Sequence, residues 1–314
     1  MKNRPIVIAH RGASGYLPEH CLAGKALAYA MGADYLEQDI VASRDDELIV
    51  LHDIFLDRVT NVADQYPARA RADGRFYVRD FDLQELRSLL VWERLQADGA
   101  AVYPKRFPAK SGNFHIHTFN EELQMLQDLN RSTGGHVGCY PEIKRPQWHR
   151  QQGVDITPQF LGILADHGYN GASDAVFVQC FDVDELVRIR VDLACELRLV
   201  QLIGENSWGE GPSNFDSLRT SKGLAGLSGT VNAIGPWINQ LYRIHEGKIE
   251  PTPLVHEAQE LGLEVHPYTF RRDALPDGFE SFDALLKFFV EQVKVDGLFT
   301  DFADLVRHAI DNPD

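Results

Sequence analysis

Short β-branched apolar runs recur along the chain, and each is followed by a stretch whose apolar positions fall at i, i+3 and i+4. The runs suit strands, the second spacing suits helices that cover a sheet, and their alternation predicts parallel β/α units. Strands are expected near Ile6–His10, Tyr35–Val41, Gly138–Ile143, Ala175–Gln179, Leu197–Leu202, Val231–Ile234, Glu264–Tyr268 and Gly297–Thr300. Helices are expected near Cys21–Met31, Phe119–Arg131, Pro158–Asp166, Asp182–Arg190, Ser217–Ala225, Pro253–Leu261, Phe282–Val293 and Asp304–Ala309. Eight strands alternating with eight helices over this length predict an α/β fold, a (β/α)8 TIM barrel. A doubly wound open sheet is the alternative, but no Gly-rich dinucleotide fingerprint joins a strand to a helix to favour it.

One interval breaks the alternation. From about Asp53 to His117 the chain is polar, rich in Asp, Arg and aromatic residues, with turn signals at Tyr66-Pro67, Asp73-Gly74 and Phe107-Pro108. A structureless loop of that length is uncommon inside a domain, so a small insertion with some structure of its own is expected after strand two. Residues 1–314 are therefore read as one barrel domain carrying an insertion at about 53–117. An insertion there sits at the C-terminal mouth, where barrels keep their active sites. The irregular stretch Gly204–Phe215 after strand five is expected to form another rim loop.

Composition narrows the function classes. The 314 residues include 46 acidic and 31 basic side chains, a formal charge of −15, and 44% are hydrophobic. That is too apolar for disorder and too acidic for nucleic acid or an anionic bilayer, so an anionic substrate must be met by local cations. No apolar run approaches the roughly 18 residues of a membrane span. No export signal precedes Ile6, which predicts a cytoplasmic protein as the chain is given and a periplasmic one if a leader has been removed. Cys21, Cys139, Cys180 and Cys195 form no Cys-x-x-Cys pair and read as small buried hydrophobes.

Strand parity then locates candidate chemistry. Strand one ends in His10-Arg11-Gly12, and strand two places Glu37 and Asp39 on one face. Strand three ends with Glu142 and Lys144 sharing a face, and the run Leu48–Leu51 leads into His52-Asp53. Three converging acids repel one another unless a cation lies among them, and all-oxygen donors favour calcium or magnesium over zinc. The alternative is a structural ion network with Arg11 and Lys144. His10 and His52 beside such a cation make an acid/base pair. Without a Gly-x-Ser-x-Gly elbow, serine hydrolysis is unsupported. Gly12-Ala13-Ser14-Gly15 reads as a turn, though its N–H groups could face an anion. His115 and His117 read as a solvated face, Trp208 as a packing residue, and Trp237 as packing with a claim on the pocket rim.

The segments His10-Arg11-Gly12-Ala13-Ser14-Gly15-Tyr16-Leu17-Pro18-Glu19-His20, Gly32-Ala33-Asp34-Tyr35-Leu36-Glu37-Gln38-Asp39 and Val50-Leu51-His52-Asp53 carry a resemblance, continued at Tyr140–Lys144, Gln179–Asp182, His266–Thr269 and Asp296–Phe302. In these the chain resembles the glycerophosphodiester phosphodiesterases, in particular the bacterial type that scavenges glycerophosphate. The resemblance implies a barrel with an insertion after strand two and one divalent cation, commonly calcium, held by Glu37, Asp39 and Glu142, with His52 near enough to be a further ligand. It implies His10 and His52 as the acid/base pair and Arg11 and Lys144 as phosphate-contacting cations. Many relatives carry Asn where His20 stands, and His20 is assigned no role. The expected reaction is hydrolysis of small soluble glycerophosphodiesters to sn-glycerol 3-phosphate and an alcohol. The alternatives are a phospholipid-headgroup phosphodiesterase or lyase that releases a cyclic phosphate, and a non-catalytic interaction protein on the same fold.

Overall fold

Strands β1 (Ile6–Ala9) and β2 (Tyr35–Ala42) open the computed structural model, which describes residues 4–312. They are followed by β3 (Leu48–Val50), β4 (Gly138–Ile143), β5 (Phe177–Cys180), β6 (Arg198–Ile203), β7 (Ala233–Pro236), the hairpin β8 (Tyr242–His245) and β9 (Lys248–Pro251), β10 (Glu264–Val265) and β11 (Gly297–Thr300). Hydrogen-bonded neighbours run β10, β7, β6, β5, β4, β2, β1, β11, all parallel. Between β10 and β11 the circle is completed by single bonds: Phe299 N–H to the Pro267 carbonyl at 3.0 Å and Phe270 N–H to the Phe299 carbonyl at 2.8 Å. Strand seven is shorter than its apolar run predicts. Pro267 has no N–H to donate, so the ladder stops at Val265 and resumes only as a bridge between Tyr268 and Trp237.

Helices cover the outside, and most begin where a side chain can satisfy their free N–H groups. Thr118 and Glu121 form a capping box on Phe119–Thr133, and Asp182 caps Val183–Val191. The helix expected over Ser217–Ala225 is two, Phe215–Leu218 and Ser221–Leu227, because Thr220 accepts from Gly223 N–H and starts a second one. The last part of Phe282–Val293 loosens into a π turn over Phe288–Val293.

Two layers fill the barrel. Ile8, Tyr140, Phe177, Val200, Ala233 and Phe299 form a buried plug. Two residues further along the same strands the inward positions become His10, Glu142, Gln179, Leu202, Gly235 and Asp301, so period-two alternation stacks a mostly polar layer on an apolar floor.

The Leu48–Leu51 run does not end at the top of a barrel strand. β2 continues past the barrel, and β3 pairs with it antiparallel, Ile40 opposite Val50 and Ala42 opposite Leu48. This hairpin carries the chain back until Leu51 N–H reaches the Asp39 carbonyl at 2.9 Å. Beyond it, short helices Val62–Gln65 and Leu83–Ser88 gather around a second hydrophobic cluster that includes Leu56, Val59, Phe76, Phe81, Leu86 and Val91.

Behind β2 lies a buried polar group. Gln38 points away from the barrel interior and donates to Glu122 at 2.8 Å, and Glu122 also receives Lys25 Nζ at 2.8 Å and His117 Nε2 at 2.7 Å. Lys25 donates to the Glu37 carbonyl as well, so this cluster holds the backbone from which Glu37 projects. His117, expected on a solvated face, is buried because Glu122 gives it a partner; His115 is exposed. Burial alone would raise the Glu122 carboxyl, but Lys25 and His117 hold it at about 2. Its contribution to stability is therefore complete above the ordinary value near 4.5 and is lost as pH falls toward about 2. Glu122→Ala should cost about 3–5 kcal/mol in urea unfolding at pH 7, because it strands a buried ammonium, and should flatten the stability curve between pH 5 and 2.

Candidate active site

The polar layer collects side chains from five strands. Glu37 and Asp39 face inward from β2, both nearly inaccessible to solvent. Asp39 is the register partner of Glu142 on β4, and Glu142 is the partner of Gln179 on β5. His10 and Arg11 follow β1, Lys144 follows β4, and Asp301 follows β11. Arg11 takes a left-handed φ of 59° and Gly12 one of 87°. That pair turns the chain so sharply that Arg11 N–H donates back to Glu37 Oε2 at 2.6 Å.

His10 Nδ1 lies 2.7 Å from Asp301 Oδ1. An ionised carboxylate only accepts, so Nδ1 carries the proton and Nε2 presents a lone pair. Asp301 is held well below the usual carboxylate range: burial opposes this, but Arg271 and His10 outweigh it, with Arg271 Nε at 2.7 Å and Arg106 at 2.8 Å. Burial and then Arg11 pull His10 down to about 3, against the pull of Asp301, so its imidazole is neutral. His52 repeats the arrangement. Its Nδ1 lies 2.7 Å from Asp53 Oδ1, while Nε2 faces Lys144 Nζ at 3.5 Å. Burial, Arg11 and Lys144 lower it, and Asp39 and Asp53 oppose them.

The acids are less evenly matched. Lys144 contacts Glu142 at 2.8 Å and Asp39 at 3.6 Å; Arg11 reaches Asp39 at 3.6 Å, but its guanidinium is also held by Glu19 at 3.0 Å. Asp39 stays ionised well below the ordinary range because Lys144 and His52 overcome its burial. Glu37 is pushed up by burial and by Asp39, and Glu142 is pushed to about 8 by burial, with Asp39 adding to it and Lys144 opposing. Two carboxyl groups driven toward neutrality beside a third that remains charged mark a place short of positive charge.

Donor atoms of His20, Glu37 and Asp39 lie within 4.8 Å of one another and could hold a cation. The structure thus places Glu37 and Asp39 together as expected, with His20 in their company and Glu142 joined through Lys144. His20 Nε2 sits 2.8 Å from Asp39 Oδ2, and its Nδ1 has no partner. Neutral at an affinity lowered to about 4 by burial, it donates to Asp39 and fixes that carboxylate's orientation. Gln179 Oε1 is also buried without a partner on the same wall. Carboxylate oxygens with an orphaned amide oxygen beside them are a donor set that fits a hard divalent ion.

His10, Arg11, Glu37, Asp39, His52, Glu142 and Gln179 line a cavity of about 200 Å³ whose rim is aromatic. Trp208 and Trp237 meet edge to face at 5.2 Å, and both border the cavity with Phe181 and Tyr268, so Trp208 is a rim residue rather than a packing one. Three N–H groups of the Gly12–Gly15 turn are used within the fold: Gly12, Ala13 and Gly15 donate to the Ala9, Gly24 and Asp301 carbonyls. Sequence reasoning left Asp53, Asp301, Glu19, Arg94 and Arg106 without roles. An acid next to His52 and one at the end of strand eight were the only signals for the first two. Arg94 clamps Glu19 and Asp53 at 2.6 Å each, which nothing in a polar insertion announces.

Fold and site together define a barrel of the enzyme kind, with two Asp-backed histidines, two cations and a carboxylate cluster gathered at its mouth. Residues 10–305 match the Glycerophosphoryl diester phosphodiesterase family. A Haemophilus influenzae glycerophosphodiester phosphodiesterase is 44% identical, covering 97% of this chain and 89% of the relative. A Treponema pallidum enzyme of the same name is 36% identical over 96% and 90%. In fold, an Oleispira antarctica phosphodiesterase solved with the product sn-glycerol-3-phosphate superposes with a TM-score of 0.65 at 19% identity, covering 98% of this chain and 97% of that one. The chain belongs to the glycerophosphoryl diester phosphodiesterase family and is an enzyme of that activity.

The Asp301–His10 contact makes a direct prediction. Asp301→Asn should lower kcat on glycerophosphocholine on the order of 10²-fold or more with little change in KM, because an amide can pair with the wrong imidazole tautomer. Unchanged kcat would remove Asp301 from the site's function.

Proposed function

We propose that the protein hydrolyses small glycerophosphodiesters, such as glycerophosphocholine and glycerophosphoethanolamine, to sn-glycerol 3-phosphate and the free alcohol, with one divalent cation, calcium, as cofactor. The observation that carries this reading is the grouping of two Asp-oriented histidines across a cavity from three buried acids that lack enough positive charge. Glu37, Asp39 and Glu142 would hold the cation, and His20 would orient Asp39. Bound there, it supplies positive charge to the non-bridging phosphate oxygens, whose charge grows as the fifth oxygen arrives.

Arg11 and Lys144 bind the same phosphate. His10 is the base: its Nε2 lone pair takes a proton from the attacking water as the new phosphorus–oxygen bond forms, while Asp301 holds the ring and favours the imidazolium that results. His52 is the acid. Asp39 and Asp53 favour its protonated form, an incoming phosphodiester anion adds to their effect, and its Nε2 proton passes to the departing alkoxide as the phosphorus–oxygen bond breaks. The aromatic rim of Trp208, Trp237 and Tyr268 receives the glycerol. A substrate with one negative charge suits a chain of net −15, because the local cations can meet that charge at a single point.

Release of sn-glycerol 3-phosphate from glycerophosphocholine should require calcium, stop with chelator and return on calcium addition. His10→Ala and His52→Ala should each lower the rate about 10²–10⁴-fold, and Glu37→Gln should be inactive with or without calcium. Full release in chelator would contradict the cation, and no release under any condition would contradict the reaction.

A further inference from the structure

A second cavity of about 200 Å³ adjoins the first beneath the segment that follows β3. His10, Arg11, His52 and Arg271 border both, so the second opens directly onto the position proposed for the phosphate. Its far wall comes from Glu93, Arg94, Tyr103 and Arg106.

Most charges around it are satisfied internally. Arg94 pairs with Glu19 and Asp53, Arg106 with Asp273 and Asp301, Arg271 with Asp301, and Arg11 with Glu19. Glu93 is the exception. It is only 4% exposed, its Oε2 has no hydrogen-bond partner, and among the described residues no cation is within ion-pair distance of it. Of the charged residues lining the cavity, Glu19, Glu93 and Asp301 stand with Arg11, Arg94, Arg106 and Arg271, and each of these arginines pairs with an acid other than Glu93. Burial, with Glu19 adding to it and Arg106 opposing, pushes the Glu93 carboxyl up to about 8, the behaviour of an acid without a cation in ion-pair contact. Buried carboxyl groups are almost always partnered, so an orphan at the wall of an active-site cavity points to a ligand.

We propose that this cavity receives the leaving alcohol and that Glu93 pairs with a primary ammonium group on it, making ethanolamine-type esters the preferred substrates. The inference rests on the functional reading above and deepens it. A primary ammonium supplies both the missing charge and an N–H for Oε2; a neutral hydroxyl supplies only the second, and a trimethylammonium only the first. The aromatic route to a trimethylammonium is closed on this wall, because the Arg106 guanidinium already covers the Tyr103 ring at 3.6 Å.

The test compares kcat/KM of the calcium-loaded enzyme for glycerophosphoethanolamine, glycerophosphocholine and glycerophosphoglycerol, in the wild type and in Glu93→Gln. The wild type should favour the ethanolamine ester over each of the others by roughly tenfold or more, and Glu93→Gln should bring both ratios close to one. Equal use of all three by the wild type overturns the ammonium subsite whatever the variant does, and so does a preference that survives in Glu93→Gln. Turnover of none of the three overturns the functional reading, and this one with it, whereas an enzyme active but unselective loses only the subsite.

Discussion

Three carboxylates packed into the polar layer of one barrel set the terms for everything around them. Glu37, Asp39 and Glu142 are each at most 6% exposed, and the two nearest cations, Arg11 and Lys144, cannot neutralise all three while Arg11 is shared with Glu19. An uncompensated buried charge is costly enough that the fold must hold it against relaxation. The means are visible behind β2, where Lys25, Glu122, His117 and Gln38 form a satisfied cluster that anchors the strand from its outer face. The tension is thus kept on the inner face, where the proposed cation would relieve it and the proposed phosphodiester would use it.

The segment after β3 contributes more than cover. The β2–β3 hairpin swings the chain back over the mouth and delivers His52 beside Lys144, and arginines of the same segment reach the acids that orient both histidines. Arg94 holds Asp53, which holds His52; Arg106 holds Asp301, which holds His10. The barrel and the segment therefore meet at the groups proposed to move protons, and the cavity left between them is the one that Glu93 lines.

Much of this is legible in the amino-acid sequence. Period-two parity placed Glu37 with Asp39 and Glu142 with Lys144, and the alternation of strands and helices predicted the barrel, because both are local consequences of backbone geometry. What escaped were contacts that depend on long-range closure. His20, Asp301 and Arg106 lie far in sequence from the residues they serve, and the burial of His117 depends on a partner in the first turn of the next helix, Glu122. His52 lies at the mouth just past an antiparallel return strand, and no apolar run distinguishes that from another barrel strand. Trp208 looked like packing because an aromatic residue in a loop carries no sign of which way it faces.

The central claim is that the carboxylate cluster is unsatisfied without a divalent cation. Thermal unfolding with calcium and with chelator tests it apart from turnover. The account predicts that calcium at a hundredfold excess over Kd stabilises the wild type by about 2.7 kcal/mol, seen as a rise in Tm of several degrees. In Glu37→Gln that rise should vanish, while in chelator the variant should match or exceed the wild type because Gln replaces a carboxyl that burial and Asp39 already drive toward neutrality. A wild-type Tm indifferent to calcium, together with a Glu37→Gln variant that is less stable in chelator, would show that these acids are already satisfied by Arg11 and Lys144, and would contradict it.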